Sequence, residues 1–134
     1  MTTYVDSSAL LKRYFSEPDL SVAERLLRSD AVLATSWVTF VEVHRNLSRV
    51  LRGAELSEAK EQFGDQFDRM ALVVVDEAVC RSAARIGEQL GVRSLDAIQL
   101  ASAQRLGIPS MPFLTFDLRQ AQAARSLGFT VLGS

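Results

Sequence analysis

Five short β-prone runs punctuate the chain, and each is apolar at successive positions where a half-exposed strand would alternate. They are "TYV" (3–5), "AVLAT" (31–35), "LVVV" (72–75), "MPFLTF" (111–116) and "FTVLG" (129–133). A strand apolar on both faces must be covered on both faces. Helical spacing fills the intervals. "SSALLKRYFSE" is closed by Pro18, and Asp19–Asp30 follows with Val22, Leu26, Ala23 and Leu27 as its stripe. "SWVTFVEVHRNLSRVLRG" has Ser36 as N-cap, Gly53 as C-cap and Phe40, Val43, Leu47, Val50 and Leu51 on its apolar face. Ser57–Met70 is amphipathic through Phe63 and Phe67; Asp76–Leu90, Ser94–Leu106 and "DLRQAQAARSLG" complete the set. Strands alternating with helices predict an α/β domain: a mainly parallel sheet with helices on both sides. Functional groups in such sheets gather outside the carboxyl ends of the strands.

At 134 residues, with no repeat or linker, the chain is expected to form a single domain, 1–134. Its 15 basic and 16 acidic residues nearly cancel. That balance argues against a broad basic nucleic-acid face and leaves room for a local basic rim. One cysteine and one histidine exclude an internal disulfide and a zinc site built on His/Cys clusters. Cys80 falls on a helical stripe with Val79, Ala83, Ile86 and Leu90, and is expected to be a packed core thiol. The longest solid apolar run, "MALVVV" (70–75), is far too short to span a bilayer, and the start of the chain is unlike a signal peptide. No membrane association and a cytoplasmic location are expected.

Four acids stand where the strand ends and helix starts meet. Asp6 ends the first strand, and Asp117 follows "LTF" with Thr115 two residues before it. Asp96 opens "SLDAIQLASAQRLG", and Glu42 sits one to two turns into the helix after the second strand. Each has a structural role open to it. Asp6 and Asp96 satisfy first-turn amides, and Asp117 forms a capping box with Gln120. Glu42 pairs with Arg45 or Arg49, a contact worth about 0.2–0.5 kcal/mol when exposed. Crowded on one rim, however, four carboxylates repel and raise one another's pKa, so a cation is expected. Oxygen donors without a His/Cys cluster favour Mg²⁺ or Mn²⁺, and a cation so held suits phosphate-ester hydrolysis.

Four segments in order, "TYVDSSALLKRYFSE", "TSWVTFVEVHRNLSR", "RSLDAIQLASAQRLG" and "FLTFDLRQAQAARSLGF", resemble the PIN-domain nucleases of the VapC toxin type. The resemblance covers essentially the whole chain. It implies a three-layer α/β/α sandwich and an endoribonuclease dependent on Mg²⁺ or Mn²⁺. It also implies a homodimer and a cognate antitoxin that wraps the toxin near its active site. The family's acids fall on Asp6, Glu42, Asp96 and Asp117, and its supporting hydroxyls on Ser7 and Thr115. One departure follows the third acid: Ile98 is succeeded by Gln99, where many relatives carry His. The ligand set needs no imidazole, so the departure leaves the chemistry intact.

Two other acid-rich α/β classes fit worse. A haloacid-dehalogenase-like phosphatase needs an aspartate two residues after its first, and that position is Ser8; a receiver domain needs a late lysine, and none follows Lys60. The remaining alternative is a PIN-fold interaction module without catalysis. Lys12, Arg13, Arg45, Arg93 and Arg119 are candidates to contact RNA phosphates at the rim. Leu11, Tyr14, Phe15, Trp37, Phe40, Phe63 and Phe67 offer more apolar surface than a small sheet covers. A homodimer and an antitoxin groove near the first four helices are therefore expected.

Overall fold

The computed structural model describes residues 1–15, 20–28 and 32–134. Five strands form one sheet: β1 (Thr2–Val5), β2 (Val32–Ser36), β3 (Ala71–Val73), β4 (Pro112–Leu114) and β5 (Thr130–Leu132). Their spatial order is β3-β2-β1-β4-β5, and every described pairing is parallel. The chain steps outward from β1 to β3, then crosses back to β4 on the other side of β1. Strand direction of travel thus reverses between β1 and β4, which opens a crevice at their carboxyl ends.

Seven helices cover the sheet: α1 (Ser7–Leu11), α2 (Leu20–Arg28), α3 (Trp37–Val50), α4 (Gly53–Phe67), α5 (Glu77–Leu90), α6 (Ser94–Arg105) and α7 (Leu118–Ser126). Two apolar cores result. One packs Leu10, Leu27, Val43, Leu47, Phe63 and Phe67 of α1–α4 against Val5 and Leu114. The other packs Val79, Ile86, Leu100 and Ala124 of α5–α7 against Tyr4 and Phe113. Tyr4 and Val5, adjacent in β1, enter opposite cores because strand side chains alternate. The α/β/α sandwich predicted from the apolar runs is what forms, with shorter strands at β4 and β5.

Three local expectations change. The first helix ends at Leu11 and tightens into a 3₁₀ turn over Lys12–Tyr14; its predicted end near Glu17 and Pro18 lies outside the described residues, as does Ala31 of the second strand. Gly53 does not cap α3. Leu51 does, with its N–H donating to Leu47 O, and Gly53, at φ +56°, starts α4 four residues before the expected Ser57. Leu51 and Arg52, both extended, make the two-residue connection, and the left-handed backbone of Gly53 turns it into α4. Cys80 is exposed: it stands beside Val79 on α5, where Val79, Ala83 and Ile86 are buried and Leu90 packs against the same core.

An aromatic cluster closes the α3–α4 pair. Phe63 and Phe67 are buried, whereas Trp37 and Phe40 are 45 % and 37 % exposed. Phe67 holds Trp37 edge-on at 5.1 Å, and Phe40 sits 5.5 Å from Phe67 and 4.2 Å from the His44 ring. Phe63 therefore carries packing energy that Phe40 carries only in part. Phe63→Ala is expected to cost about 3–5 kcal/mol in urea unfolding, and Phe40→Ala markedly less. Equal losses would mean the two rings share the core equally.

Candidate active site

The crevice between β1 and β4 receives the acids. Asp6 follows β1 directly, and its N–H donates to Leu114 O at 3.2 Å, which locks the end of β1 to the end of β4. It caps α1: Oδ1 accepts from Ser8 N at 3.1 Å, Ser8 Oγ at 2.6 Å and Ala9 N at 3.4 Å. The carboxylate is nearly inaccessible, 4 % exposed. Burial pushes its pKa up to about 6, against the hydrogen bonds of Ser8, Thr115 and Ala9, and the negative charge of Glu42 adds to the rise. An ionised Asp6 is thus costly where it stands.

Asp117 stands three residues beyond the end of β4, after Thr115 and Phe116. It caps α7, its Oδ1 accepting from Gln120 N at 3.0 Å. The capping box is only half made. The Gln120 side chain turns away and donates through Nε2 to Asp96 O at 3.0 Å, while Asp117 N donates to Thr115 Oγ1. Gln120 thereby ties the start of α7 to the start of α6. Asp96, in the first turn of α6, faces Arg93: Nε donates to Oδ2 at 3.1 Å, and the same guanidinium lies 3.8 Å from Asp117 Oδ2. One arginine spans two of the four acids.

Glu42 lies half-buried on α3 and pairs with neither Arg45 nor Arg49. Arg49 instead donates to Asn46 Oδ1, and Glu42 Oε1 accepts from Gln99 Nε2 at 2.8 Å, with the Ser7 hydroxyl a second partner. Burial raises the Glu42 pKa most; the Asp96 charge adds to this, and Gln99 opposes it. Asp6, Glu42 and Asp96 are thus linked by mutual repulsion, and Asp96 and Asp117 by Arg93. Among the described residues no three of these side chains converge tightly enough to ligate one ion together as they stand.

The two expected hydroxyls each stand beside an acid. Ser7 serves Glu42, and Thr115 serves Asp117 N, as neighbours of the acids. Ser8 was not singled out as a site residue, yet it does more: its Oγ donates to Asp6, lies 3.2 Å from Thr115 Oγ1 and accepts from Phe116 N at 2.9 Å. Its signal in the sequence was only a second serine in "VDSSA". Gln99 was legible as a departure and Gln120 as half of a capping box; neither spacing reveals that both reach acids far away in the chain.

Of the basic candidates, Arg93 and Arg119 border one groove with Asp96. Lys12 borders another, of about 790 Å³, whose walls include Ser8, Tyr14, Phe15, Arg49, Phe116 and Asp117; its ammonium stands 5.6 Å over the Phe116 ring. Arg45 is exposed three residues beyond Glu42 on α3. Arg13 is the one misplaced: it lines a separate groove with Glu24, Gln62, Asp65 and Arg69.

This arrangement has relatives. The PIN-domain family pattern matches residues 3–126. Ribonuclease VapC46 of Mycobacterium tuberculosis is 34 % identical over 129 residues, spanning 96 % of this chain and 95 % of the relative. Ribonuclease VapC47 of the same species is 31 % identical over 130 residues, spanning 94 % and 92 %. Among solved structures, FitAcB from Neisseria gonorrhoeae matches with a TM-score of 0.73 at 18 % identity, over 98 % of this chain and 96 % of that one. VapC20 of Mycobacterium tuberculosis, a sarcin–ricin loop cleaving toxin, matches at 0.72 and 18 %, over 100 % and 98 %. The structural matches carry the fold; the sequence matches carry the kinship. By the family pattern and the sequence matches, the chain belongs to the PIN-domain family, with VapC ribonucleases among its relatives.

Proposed function

We propose that this protein is an endoribonuclease dependent on Mg²⁺ or Mn²⁺, acting as the toxin of a toxin–antitoxin pair. The observation that supports the reading is a linked set of four carboxylates from separated segments: Asp6 and Glu42 repel, Glu42 and Asp96 repel, and Arg93 joins Asp96 to Asp117. The kinship with proteins named ribonucleases supports the reaction class. The donor set fits a hard divalent cation: every candidate ligand is a carboxylate oxygen, and burial and mutual repulsion raise the pKa of two of them. Asp6, Glu42, Asp96 and Asp117 would hold it. When bound, such a cation stabilises charge developing on a phosphodiester under attack. The chain's own groups do the rest. Ser8 and Thr115 fix Asp6 and the Asp117 backbone, while Arg93 and Arg119 offer guanidinium forks to RNA phosphates beside Asp96.

The partner reading rests on surfaces. Several structural neighbours are toxin–antitoxin complexes, one of them from Klebsiella pneumoniae. The groove of about 790 Å³ has Tyr14, Phe15, Val50 and Phe116 as apolar wall and opens onto Ser8 and Asp117. An antitoxin segment seated there reaches the acids at one end, and a basic side chain on it neutralises them. Trp37, Phe40 and Val41 leave an exposed apolar face on α3, the basis for a homodimer. Sedimentation at tens of micromolar is expected to give a dimer, and a clean monomer refutes that half of the reading.

Single-stranded RNA is expected to be cut in Mg²⁺ or Mn²⁺ and spared in EDTA. Undiminished cleavage in chelator removes the cation from the reaction.

Asp6 sets a second expectation. Its folded pKa of about 6 lies above the ordinary 3.8, so between those values the native state holds a proton the unfolded state has lost. Stability contributed by this group therefore falls as pH rises through that window. The full loss is about 3 kcal/mol at about 1.4 kcal/mol per pKa unit. Asn caps helices as well as Asp does. At neutral pH, cation-free Asp6→Asn should thus melt at or above the wild type, the gap closing toward pH 4, and should cleave no RNA. A variant melting well below the wild type at pH 7 makes Asp6 chiefly a structural cap.

A further inference from the structure

A chain of buried hydrogen bonds runs from the central strand to Glu42, and its polarity is fully determined. Thr35 Oγ1 donates to Val5 O at 2.7 Å, which uses its only proton. The 2.7 Å contact between Thr35 Oγ1 and Thr39 Oγ1 must then be donated by Thr39. With its proton spent, Thr39 accepts from Gln99 Nε2 at 2.9 Å. The second proton of that amide goes to Glu42 Oε1 at 2.8 Å, and Gln99 Oε1 accepts from the Tyr4 hydroxyl at 2.5 Å. The side-chain amide of Gln99 is therefore satisfied at both ends in one orientation only. Turning it over would set its oxygen against a carboxylate and against a hydroxyl with no proton left to give.

Gln99 is 1 % exposed and Tyr4 fully buried, on α6 and β1 respectively, while Glu42 projects from α3. Three elements that meet only in the folded chain thus fix one carboxylate oxygen. A glutamate has several freely rotating bonds, and holding it in one rotamer in advance removes an ordering cost from any ligand it binds. Gln120 works otherwise: among the described residues its side chain reaches the backbone carbonyl of Asp96 alone, and its own Oε1 has no partner.

We infer that Gln99 is a positioning residue for Glu42, pre-setting one carboxylate oxygen so that the other faces the crevice for a divalent cation. The inference rests on the cation-dependent ribonuclease reading and adds to it a residue that touches neither the cation nor RNA. Partners that orient ligand side chains typically change metal affinity about 10–100-fold when removed.

The test titrates Mn²⁺ alone into cation-free protein, reading bound Mn²⁺ by electron paramagnetic resonance, with RNA cleavage measured in parallel. Gln99→Met keeps length and volume and removes every hydrogen bond. It is expected to weaken Mn²⁺ binding by about tenfold or more. In a Glu42→Gln background the same change should add nothing further, because the group it positions is gone. Tyr4→Phe releases Gln99 from its other end without touching Glu42, and should weaken Mn²⁺ binding in the same direction by less; it carries the test should Gln99→Met fail to fold. Unchanged Mn²⁺ affinity in a folded Gln99→Met or, failing that, in Tyr4→Phe overturns the inference. So does an equal loss with and without Glu42, which marks a general packing role. A wild type that neither binds Mn²⁺ nor cuts RNA overturns the ribonuclease reading, and this inference with it. A wild type that does both while the variants match it overturns the inference alone.

Discussion

The Asp6 carboxylate is buried at the end of the central strand, and much of the site is arranged around that cost. A charge removed from water is tolerated only when it is hydrogen-bonded or neutralised. Three donors from Ser8 and Ala9 supply the first remedy. They do not supply enough, since the group still titrates well above an ordinary aspartate. Its neighbour Glu42 is strained in the same direction. The other two carboxylates, Asp96 and Asp117, share Arg93. Arg93 thus supplies its direct contacts to Asp96 and Asp117 and acts on Glu42 only through its charge.

The fold brings this about through topology. With β1 in the middle of the sheet and the chain reversing its direction of travel beside it, the ends of β1 and β4 are neighbours held by the Asp6 N–H to Leu114 O bond. The helices after those strands diverge to opposite faces, so their capping residues look into one crevice. Caps and candidate site residues are consequently the same side chains. Asp6 and Asp117 each satisfy backbone N–H groups of a helix with one oxygen, as an isolated cap would.

Two buried glutamines do the fine positioning. Gln99 connects α6 to α3 and β1 through side chains, and Gln120 connects α7 to α6 through a backbone carbonyl. A buried amide with partners for both donors and its acceptor, as Gln99 has, constrains the elements around it more tightly than an apolar residue of equal size.

What the sequence by itself determined was the architecture and the identity of the four acids. Runs such as "LVVV" and "AVLAT" have no polar face, so they demand cover on both sides, and the amphipathic stretches between them supply it. Acids at strand ends followed from the same pattern, because strand and helix boundaries are set by local composition. Tertiary structure alone decided what each acid touches. Glu42 was near Arg45 and Arg49 in sequence, yet it bonds Gln99, 57 residues away, because α3 and α6 pack together only once the sheet has formed. Arg13 was close to the first acid in sequence and faces another groove, since adjacent residues of a helical turn point about 100–120° apart. Cys80 and Val79 looked alike as stripe residues, but a helix buries only the face its neighbour covers, and Cys80 falls at the margin. Local spacing encodes which face is apolar; which side chains meet across elements depends on packing between segments that the chain order keeps far apart.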